Sequence, residues 1–143
     1  MAERNDPAKI VGGLLQTERR NDGTRTLLRD LKVVVGSTEI VVPKGTVTDF
    51  STIPWYGRIL VRWSKVDIAG VVHDHLYHKQ IFTRSRADQI WRLCAVSGNH
   101  RANPVQAWIG WLALRLGGWY AWHQCNLRIE RGVYPMHDAQ EMN

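Results

Sequence analysis

Apolar and polar residues alternate in short runs over the first third of the chain. An apolar run from Lys9 to Gln16 is followed by a Leu- and Val-rich stretch from Arg25 to Val35. Gly36-Ser37 interrupts the pattern, and Thr38 to Val42 returns to β-branched residues. Two such runs separated by a Gly-containing pair are typical of strands joined by a tight turn. The sequence therefore predicts a β-hairpin here.

Turn residues and a change of periodicity mark the end of the predicted sheet. Pro43-Lys44-Gly45 predicts a turn, after which Thr46 to Thr48 has the residues of another short strand. From about residue 66 the apolar positions follow a helical period. We expect an α+β fold in one domain, with a small N-terminal antiparallel sheet over about residues 8–50 and about three packed helices over about 66–118.

Helix signals divide the second half of the chain. The first helix has an apolar arc formed by Ile68, Ala69, Val71, Val72 and Leu76. Ser85-Arg86-Ala87-Asp88 has the pattern of a capping box that opens a second helix, which closes near Gly98. Asn103-Pro104 predicts the start of a third helix, ending at Gly117-Gly118. We expect residues 119–143 to form an irregular tail.

The composition is typical of a globular protein and does not identify the class of its partner. The chain has 143 residues, of which 44% are hydrophobic, so a sizeable core is possible. Its formal net charge of +6 permits a nucleic acid, an anionic lipid or an acidic protein as partner. The basic residues form no long run, so solubility explains the charge equally well. No nucleic-acid motif is recognisable, which disfavours that partner.

The termini and the cysteines indicate a cytoplasmic setting. The first residues are polar, and no uncharged apolar run is long enough to span a bilayer, so we expect neither a signal peptide nor a transmembrane segment. Cys94 and Cys125 form no CxxC pair and are expected to be free thiols, with Cys94 in the core.

The first helix concentrates titratable side chains. His73, Asp74, His75, Tyr77 and His78 fall within about two helical turns. His73 and Tyr77 share one flank by their i,i+4 spacing, and Asp74 and His78 share the other. Imidazole is readily tuned to accept a proton near neutral pH. The cluster therefore predicts metal binding, proton transfer or a buried polar network, and leaves the choice open.

Two chemical roles follow from these residue types. Asp74 and His78 lie one turn apart and could both reach a cation, to which Asp49 or Asp88 could add an oxygen. Calcium or magnesium would suit the carboxylates, and zinc would suit the imidazole. Alternatively, His73 could act as a base on a water molecule while a carboxylate of another element orients its second ring nitrogen.

The segment from Thr48 to Trp55 joins the two halves and has the composition of a site loop. It combines hydroxyl groups, the Asp49 carboxylate and aromatic residues, and Pro54 holds the preceding residue out of the helical region. Asp49 and Ser51 are therefore candidate site residues. The alternative is that both side chains cap backbone amides in a turn.

Each candidate also has a purely structural explanation. His73 could be hydrogen-bonded to a buried carboxylate without catalytic work, and His75 is expected to be a core histidine. Asp88 is explained by the capping box, and Tyr77 by packing. His78 could be a solvated residue favoured by the helix dipole.

Several motifs together resemble a domain-of-unknown-function family of tailed bacteriophages and prophages. They are Thr48-Asp49-Phe50-Ser51-Thr52-Ile53-Pro54, His73-Asp74-His75-Leu76-Tyr77, Ser85-Arg86-Ala87-Asp88 and Leu114-Arg115-Leu116-Gly117-Gly118. The family has Thr-Asp-Phe-Ala-Ser-Ile-Pro, His-Asp-x-Leu-Tyr, Arg-x-x-Ala-Asp and an Arg- and Gly-bearing final helix. Ser51-Thr52 departs slightly from this pattern. The resemblance covers about residues 30–118 and implies a phage gene product without implying a mechanism.

The first helix is also similar to that of the secreted calcium-dependent phospholipases, which carry His-Asp-x-Cys-Tyr and an Asp on the following helix. This likeness implies that His73 is the base, Asp74 a calcium ligand and Asp88 the group that orients His73, with Tyr77 supporting the network. The disulfide framework and the Gly-rich calcium loop of those enzymes are absent from this sequence.

Two functions remain open, so whether the chain is an enzyme is left undecided. One is a phage-encoded hydrolase, metal-assisted and with calcium favoured, acting on lipid or cell envelope, because the 7 Trp residues and the positive charge suit an anionic surface. The other is a non-enzymatic head or tail component that binds other phage structural proteins through exposed Trp residues. We expect synthesis in the host cytoplasm, with the virion as the location in the second case.

Overall fold

Two small antiparallel sheets precede three helices, which confirms the expected α+β class. The computed structural model describes residues 8–11, 15–48, 67–97 and 103–132. One sheet has the strand order β1-β4-β5 and the other β2-β3-β6. The strands are β1 Ala8–Val11, β2 Thr17–Arg19, β3 Arg25–Leu27, β4 Leu31–Val35, β5 Thr38–Val42 and β6 Val47–Thr48.

The hairpin predicted around Gly36-Ser37 is confirmed. Val35 pairs with Thr38 across the two-residue turn, and Gly36 has a φ of 60°. A glycine adopts this left-handed conformation without steric cost, so the turn is compatible with the twist of the strands. The alternate residues Val33 and Val35 are fully buried, which directs one face of the sheet into the core.

Three helices form the second half of the described chain: α1 Asp67–Lys79, α2 Arg84–Ala95 and α3 Pro104–Glu130. The predicted start of α3 is confirmed, because Asn103 is the N-cap and Pro104 occupies the first turn. The Asn103 Oδ1 atom accepts the Gln106 backbone N–H at 2.8 Å, and the Gln106 side chain accepts the Asn103 N–H in return. This reciprocal pair satisfies amides that lack helical partners.

The capping box predicted at Ser85–Asp88 is wrong. The N-cap of α2 is Thr83, whose Oγ1 atom accepts the Arg86 backbone N–H at 3.2 Å. Asp88 is fully buried and faces the helices rather than the end of α2. A carboxylate in that position needs buried partners, so it belongs to the interior network described below.

The predicted end of α3 at Gly117-Gly118 is also wrong, because the helix continues to Glu130. The irregular tail expected from residue 119 is therefore helical as far as 130, and residues 133–143 lie outside the described part. Gly118 is buried against α1: a Cβ atom there would stand 2.7 Å from the Tyr77 hydroxyl oxygen. Here glycine permits a close helix contact instead of ending a helix.

Helix α1 lies at the centre of the molecule. It packs against α2 and α3 on one side and contacts β5 and β6 on the other. Every side chain from Val71 to Tyr77 is buried, the polar ones included. No helix in the described part is long and apolar enough to cross a membrane. This placement brings the polar residues of α1 close to side chains of α2, α3 and the neighbouring strands.

Candidate functional site

The buried carboxylate of Asp88 collects donors from three helices. His73 Nε2 lies 2.8 Å from Asp88 Oδ1, and the Tyr77 hydroxyl donates to the same oxygen at 2.6 Å. Arg115 Nη1 donates to Asp88 Oδ2 at 3.0 Å, and Arg84 Nη1 stands 3.6 Å from that oxygen. Both oxygens are thus satisfied by hydrogen bonds or ion pairs, as a buried charge requires.

Helix geometry explains how these groups meet. His73 and Tyr77 are one turn apart on α1 and face the same way, with their rings 4.1 Å apart. Arg84 is one turn before Asp88 on α2, whereas Arg115 reaches it from the middle of α3. The structure therefore brings together the three residues assigned to catalysis from the sequence.

The electrostatics define the protonation of this network. Burial alone would raise the pKa of Asp88, but hydrogen bonds from His73, Tyr77 and Arg115 and the charge of His73 outweigh it and lower the pKa. Burial and the neighbouring Asp88 charge raise the pKa of Tyr77, so its hydroxyl stays a donor. With an ionised Asp88 as acceptor, we assign a proton to His73 Nε2, so that the imidazole donates in this hydrogen bond.

A second polar group lies on the other flank of α1. Thr48 Oγ1 of β6 donates to Asp74 Oδ2 at 2.7 Å. Asp74 Oδ1 stands 3.4 Å from His78 Nε2, within ion-pair range but outside hydrogen-bond geometry. Among the residues that the structure describes, this buried oxygen has no hydrogen-bond partner. His78 Nδ1 lies 3.6 Å from Cys125 Sγ of α3. Asp74 and His78, which the sequence predicts could both reach one cation, therefore lie within ion-pair distance of each other.

His78 is held in its charged form. Burial opposes protonation, but the interactions with Asp74 and Cys125 outweigh it and raise the pKa of His78 to about 10. An imidazolium has no lone pair for a metal, so His78 could serve as a ligand only after losing its proton. The charge of His78 instead compensates the Asp74 carboxylate.

The described residues do not assemble a cation site. In the four described ranges, no group of three or more His, Cys, Asp or Glu side chains is placed to hold a metal ion. Asp49, the further ligand expected from the sequence, and Ser51 both lie outside the described residues. Calcium takes about six to eight oxygen ligands, so a calcium site at Asp74 would need oxygens beyond this carboxylate.

Comparison with known proteins identifies the family of this chain but assigns it no activity. The family described as "Protein of unknown function (DUF1353)" matches residues 25–114, which is more than half of the chain. The chain belongs to the DUF1353 family. No curated protein and no solved structure matches it.

The DUF1353 match covers most of the two polar groups. His73, Asp74, Tyr77 and Asp88 all fall inside residues 25–114, whereas Arg115 directly follows the matched range. The buried network is therefore carried mainly by the part of the chain that defines the family.

Four residues that contact the two polar groups were not among the site residues predicted from the sequence: Arg115, Arg84, Thr48 and Cys125. Arg115 had a signal, because it is a single charge inside the apolar stretch from Trp108 to Leu116. A lone arginine in such a run is usually paired within the protein. Thr48 also had a signal, because it opens the hydroxyl-rich segment from Thr48 to Trp55. Cys125 comes from a distant element and had no local signal.

The remaining expectations concern the core. His75 is buried, as predicted for a core histidine. Cys94 and Cys125 are free thiols, as expected. Burial raises the pKa of the Cys94 thiol to about 12, so this thiol stays protonated and unreactive at neutral pH.

Proposed function

We propose that the chain is a hydrolase, encoded by a tailed bacteriophage or prophage, that acts on ester bonds of lipid or cell envelope. The observation that carries this proposal is the arrangement at Asp88, where one carboxylate oxygen accepts from both His73 Nε2 and the Tyr77 hydroxyl. A carboxylate hydrogen-bonded to one ring nitrogen orients an imidazole for general-base catalysis through the other nitrogen. The order of His73, Asp74 and Tyr77, with Asp88 on the next helix, is similar to that of calcium-dependent phospholipases.

In this proposal His73 Nδ1 takes a proton from a water molecule that attacks the ester carbonyl. Asp88 keeps the ring oriented through Nε2 and stabilises the imidazolium that forms. Tyr77 fixes the position of Asp88, and Arg115 helps to keep the carboxylate ionised. The proton returns from the imidazolium to the leaving oxygen when the ester bond breaks.

The test compares wild type with His73→Gln on phosphatidylglycerol vesicles, phosphatidylcholine vesicles and purified O-acetylated peptidoglycan, each of which contains acyl ester bonds. The Gln amide can still donate toward Asp88, but it cannot accept the proton. We expect His73→Gln to lower the rate by about a hundredfold or more, the usual contribution of a general base. His123→Gln, which replaces an exposed histidine of α3, is the matched control and should keep the wild-type rate.

Two results would contradict the proposal. One is equal turnover by folded His73→Gln and wild type. The other is no product from any of the three substrates by folded wild type, with calcium present and with a chelator.

Calorimetric titration of calcium, magnesium and zinc into wild type and Asp74→Asn runs beside the assay. Binding that disappears in Asp74→Asn would assign a cation to that carboxylate.

A second function is favoured by a separate observation on α3. A row of large apolar side chains, here called the α3 stripe, is 37–67% exposed along one face of the helix: Val105, Trp108, Ile109, Leu112, Leu116, Trp119 and Tyr120. These positions follow the i, i+3, i+4 spacing of one helical face. An exposed apolar row of this size is typical of a protein–protein contact.

In this second proposal the chain is a head- or tail-associated component of the phage particle, and the Asp88 network only holds the helices together. It predicts that mass spectrometry detects the protein in stoichiometric amount in purified particles. Leu116→Lys, in the middle of the α3 stripe, should prevent incorporation, whereas Arg128→Lys, also on α3, should not. Absence of the wild-type protein from purified virions would overturn this alternative.

A further inference from the structure

A cavity of about 400 Å³ opens between the first turns of α2 and the start of α3. Its described lining includes neither Asp88 nor any residue that contacts the Asp88 carboxylate, so it is separate from the buried network. Its lining includes Ser85, Arg86, Gln89 and Arg92 of α2 and Trp108 and Trp111 of α3. Its volume falls within the range of small-molecule sites, about 300–1,000 Å³.

One wall of the cavity is cationic. Arg86 and Arg92 line it, and none of the described lining residues is a carboxylate. The first turn of α2 has no acidic residue either. Arg86 Nη1 donates to Gln89 Oε1 at 2.9 Å, which positions the guanidinium on this face. A guanidinium has five N–H donors, so Arg86 can bind an anion while keeping that contact.

The facing wall is aromatic. Trp108 and Trp111 are in contact, with ring centroids 5.3 Å apart at 82°. The Arg92 guanidinium carbon stands 4.1 Å from the Trp108 ring centroid. This cation–π contact places the positive charge and the aromatic surface side by side. A ligand in the cavity would therefore meet charge and ring surface together.

We propose that this cavity binds a small ligand that combines a phosphate group with a planar ring, which is the chemistry of a nucleotide. Arg86 and Arg92 bind the phosphate, since guanidinium groups match its oxygen geometry bidentately. The Ser85 hydroxyl adds a further hydrogen-bond donor. Together these side chains offer more donors than the two oxygens of a carboxylate ligand could accept, which favours a phosphate over a carboxylate. The indole of Trp108 or Trp111 packs against the ring of the ligand.

The test measures binding of AMP, adenosine and inorganic phosphate to the full chain by tryptophan fluorescence and calorimetry at fixed ionic strength. AMP should bind more tightly than either fragment. Arg92→Gln should weaken AMP binding about tenfold, the loss expected for one charge-assisted hydrogen bond. Trp108→Ala should bring the affinity for AMP close to that for phosphate.

Arg128→Gln is the matched control, because it removes one exposed positive charge from the far end of α3. It should leave AMP binding unchanged, and so should His73→Gln, since the cavity does not depend on the proposed hydrolase.

A short single-stranded oligonucleotide distinguishes the sources of the nucleotide. Oligonucleotide binding tighter than AMP binding and sensitive to Arg92→Gln identifies a nucleic-acid strand as the source, and equal or weaker binding identifies a free nucleotide.

Two results would overturn the inference. One is no binding of AMP or oligonucleotide to the folded full chain at millimolar concentration. The other is an equal loss of affinity in Arg92→Gln and Arg128→Gln, because binding would then reflect the overall positive charge rather than this cavity.

Discussion

At the scale of single residues, the buried carboxylate of Asp88 is the acceptor on which the other polar side chains of the interior network converge. Its two oxygens satisfy His73, Tyr77 and Arg115, and Arg84 lies close by. Removing a carboxylate from such a group leaves buried donors and positive charge without compensation, which costs far more than removing one donor. The residue is therefore central to stability whatever reaction the site performs.

Asp88→Asn should lower the free energy of unfolding by about 3 kcal/mol, the order of loss when one partner of a buried ion pair is removed. Tyr77→Phe removes one hydrogen bond and should cost about 1–2 kcal/mol. Urea denaturation of both variants measures the two losses of unfolding free energy and shows which is larger. A smaller loss for Asp88→Asn than for Tyr77→Phe would show that Asp88 does not anchor the network.

The His78 pair gives stability a pH dependence. Attraction to Asp74 raises the pKa of His78 from its ordinary 6.5 to about 10 in the folded state. A raised pKa means that the stabilisation is fully present below about pH 6.5 and is lost as the pH rises toward 10. The free energy of unfolding should therefore fall more between pH 6 and pH 9.5 in wild type than in His78→Gln. Parallel pH profiles for the two proteins would contradict this assignment.

At the scale of elements, close packing of α3 on α1 positions the network. Gly118 makes this contact possible, because a Cβ atom there would stand 2.7 Å from the Tyr77 hydroxyl oxygen. Such a contact forces one helix to shift, and the shift would disturb the bonds of Asp88. The same helix carries Arg115, so its position determines whether Asp88 is satisfied.

Gly118→Ala should destabilise the protein in the wild-type background and much less in a Tyr77→Phe background, which lacks the obstructing oxygen. A double-mutant cycle by urea denaturation measures this coupling. The expected interaction energy is about 1 kcal/mol or more. Additive effects of the two substitutions would rule out the contact as the reason for glycine at this position.

Local signals in the sequence predicted the elements that depend on local contacts. Gly36 identified the hairpin, and Asn103 with Pro104 identified the start of α3, because turns and caps are satisfied by near neighbours. The i,i+4 spacing placed His73 and Tyr77 together for the same reason. Gly118 was misread as a helix end, since its role is a contact with α1 that no local pattern reveals.

The partners of the site depend on tertiary packing. The sequence fits Asp88 both as a capping residue, because Ser85 precedes it at the capping-box spacing, and as the group that orients His73. The cap is formed by Thr83 instead. The contact between Asp88 and Arg115 joins α2 to α3, and the contact between Thr48 and Asp74 joins a strand to α1. Neither pair could be derived from periodicity, since each depends on how the elements pack.

At the scale of the whole molecule, α1 is enclosed between the sheets and the other helices. His73 and Asp88 are fully buried as a consequence. Enclosure strengthens the electrostatic interactions of the dyad, because water does not screen them. Turnover additionally requires that water and an ester group reach His73 Nδ1. The α3 stripe and the cavity beside Arg92 lie on the outside and offer contacts independent of that dyad.

Product release from phosphatidylglycerol vesicles by wild type and His73→Gln, with the unfolding free energy of both samples determined in parallel, decides whether His73 acts as a general base. We expect wild type to release fatty acid and His73→Gln, still folded, to be slower by about a hundredfold or more. Equal rates in the two folded proteins would contradict this expectation and leave the Asp88 network a structural element of the DUF1353 domain.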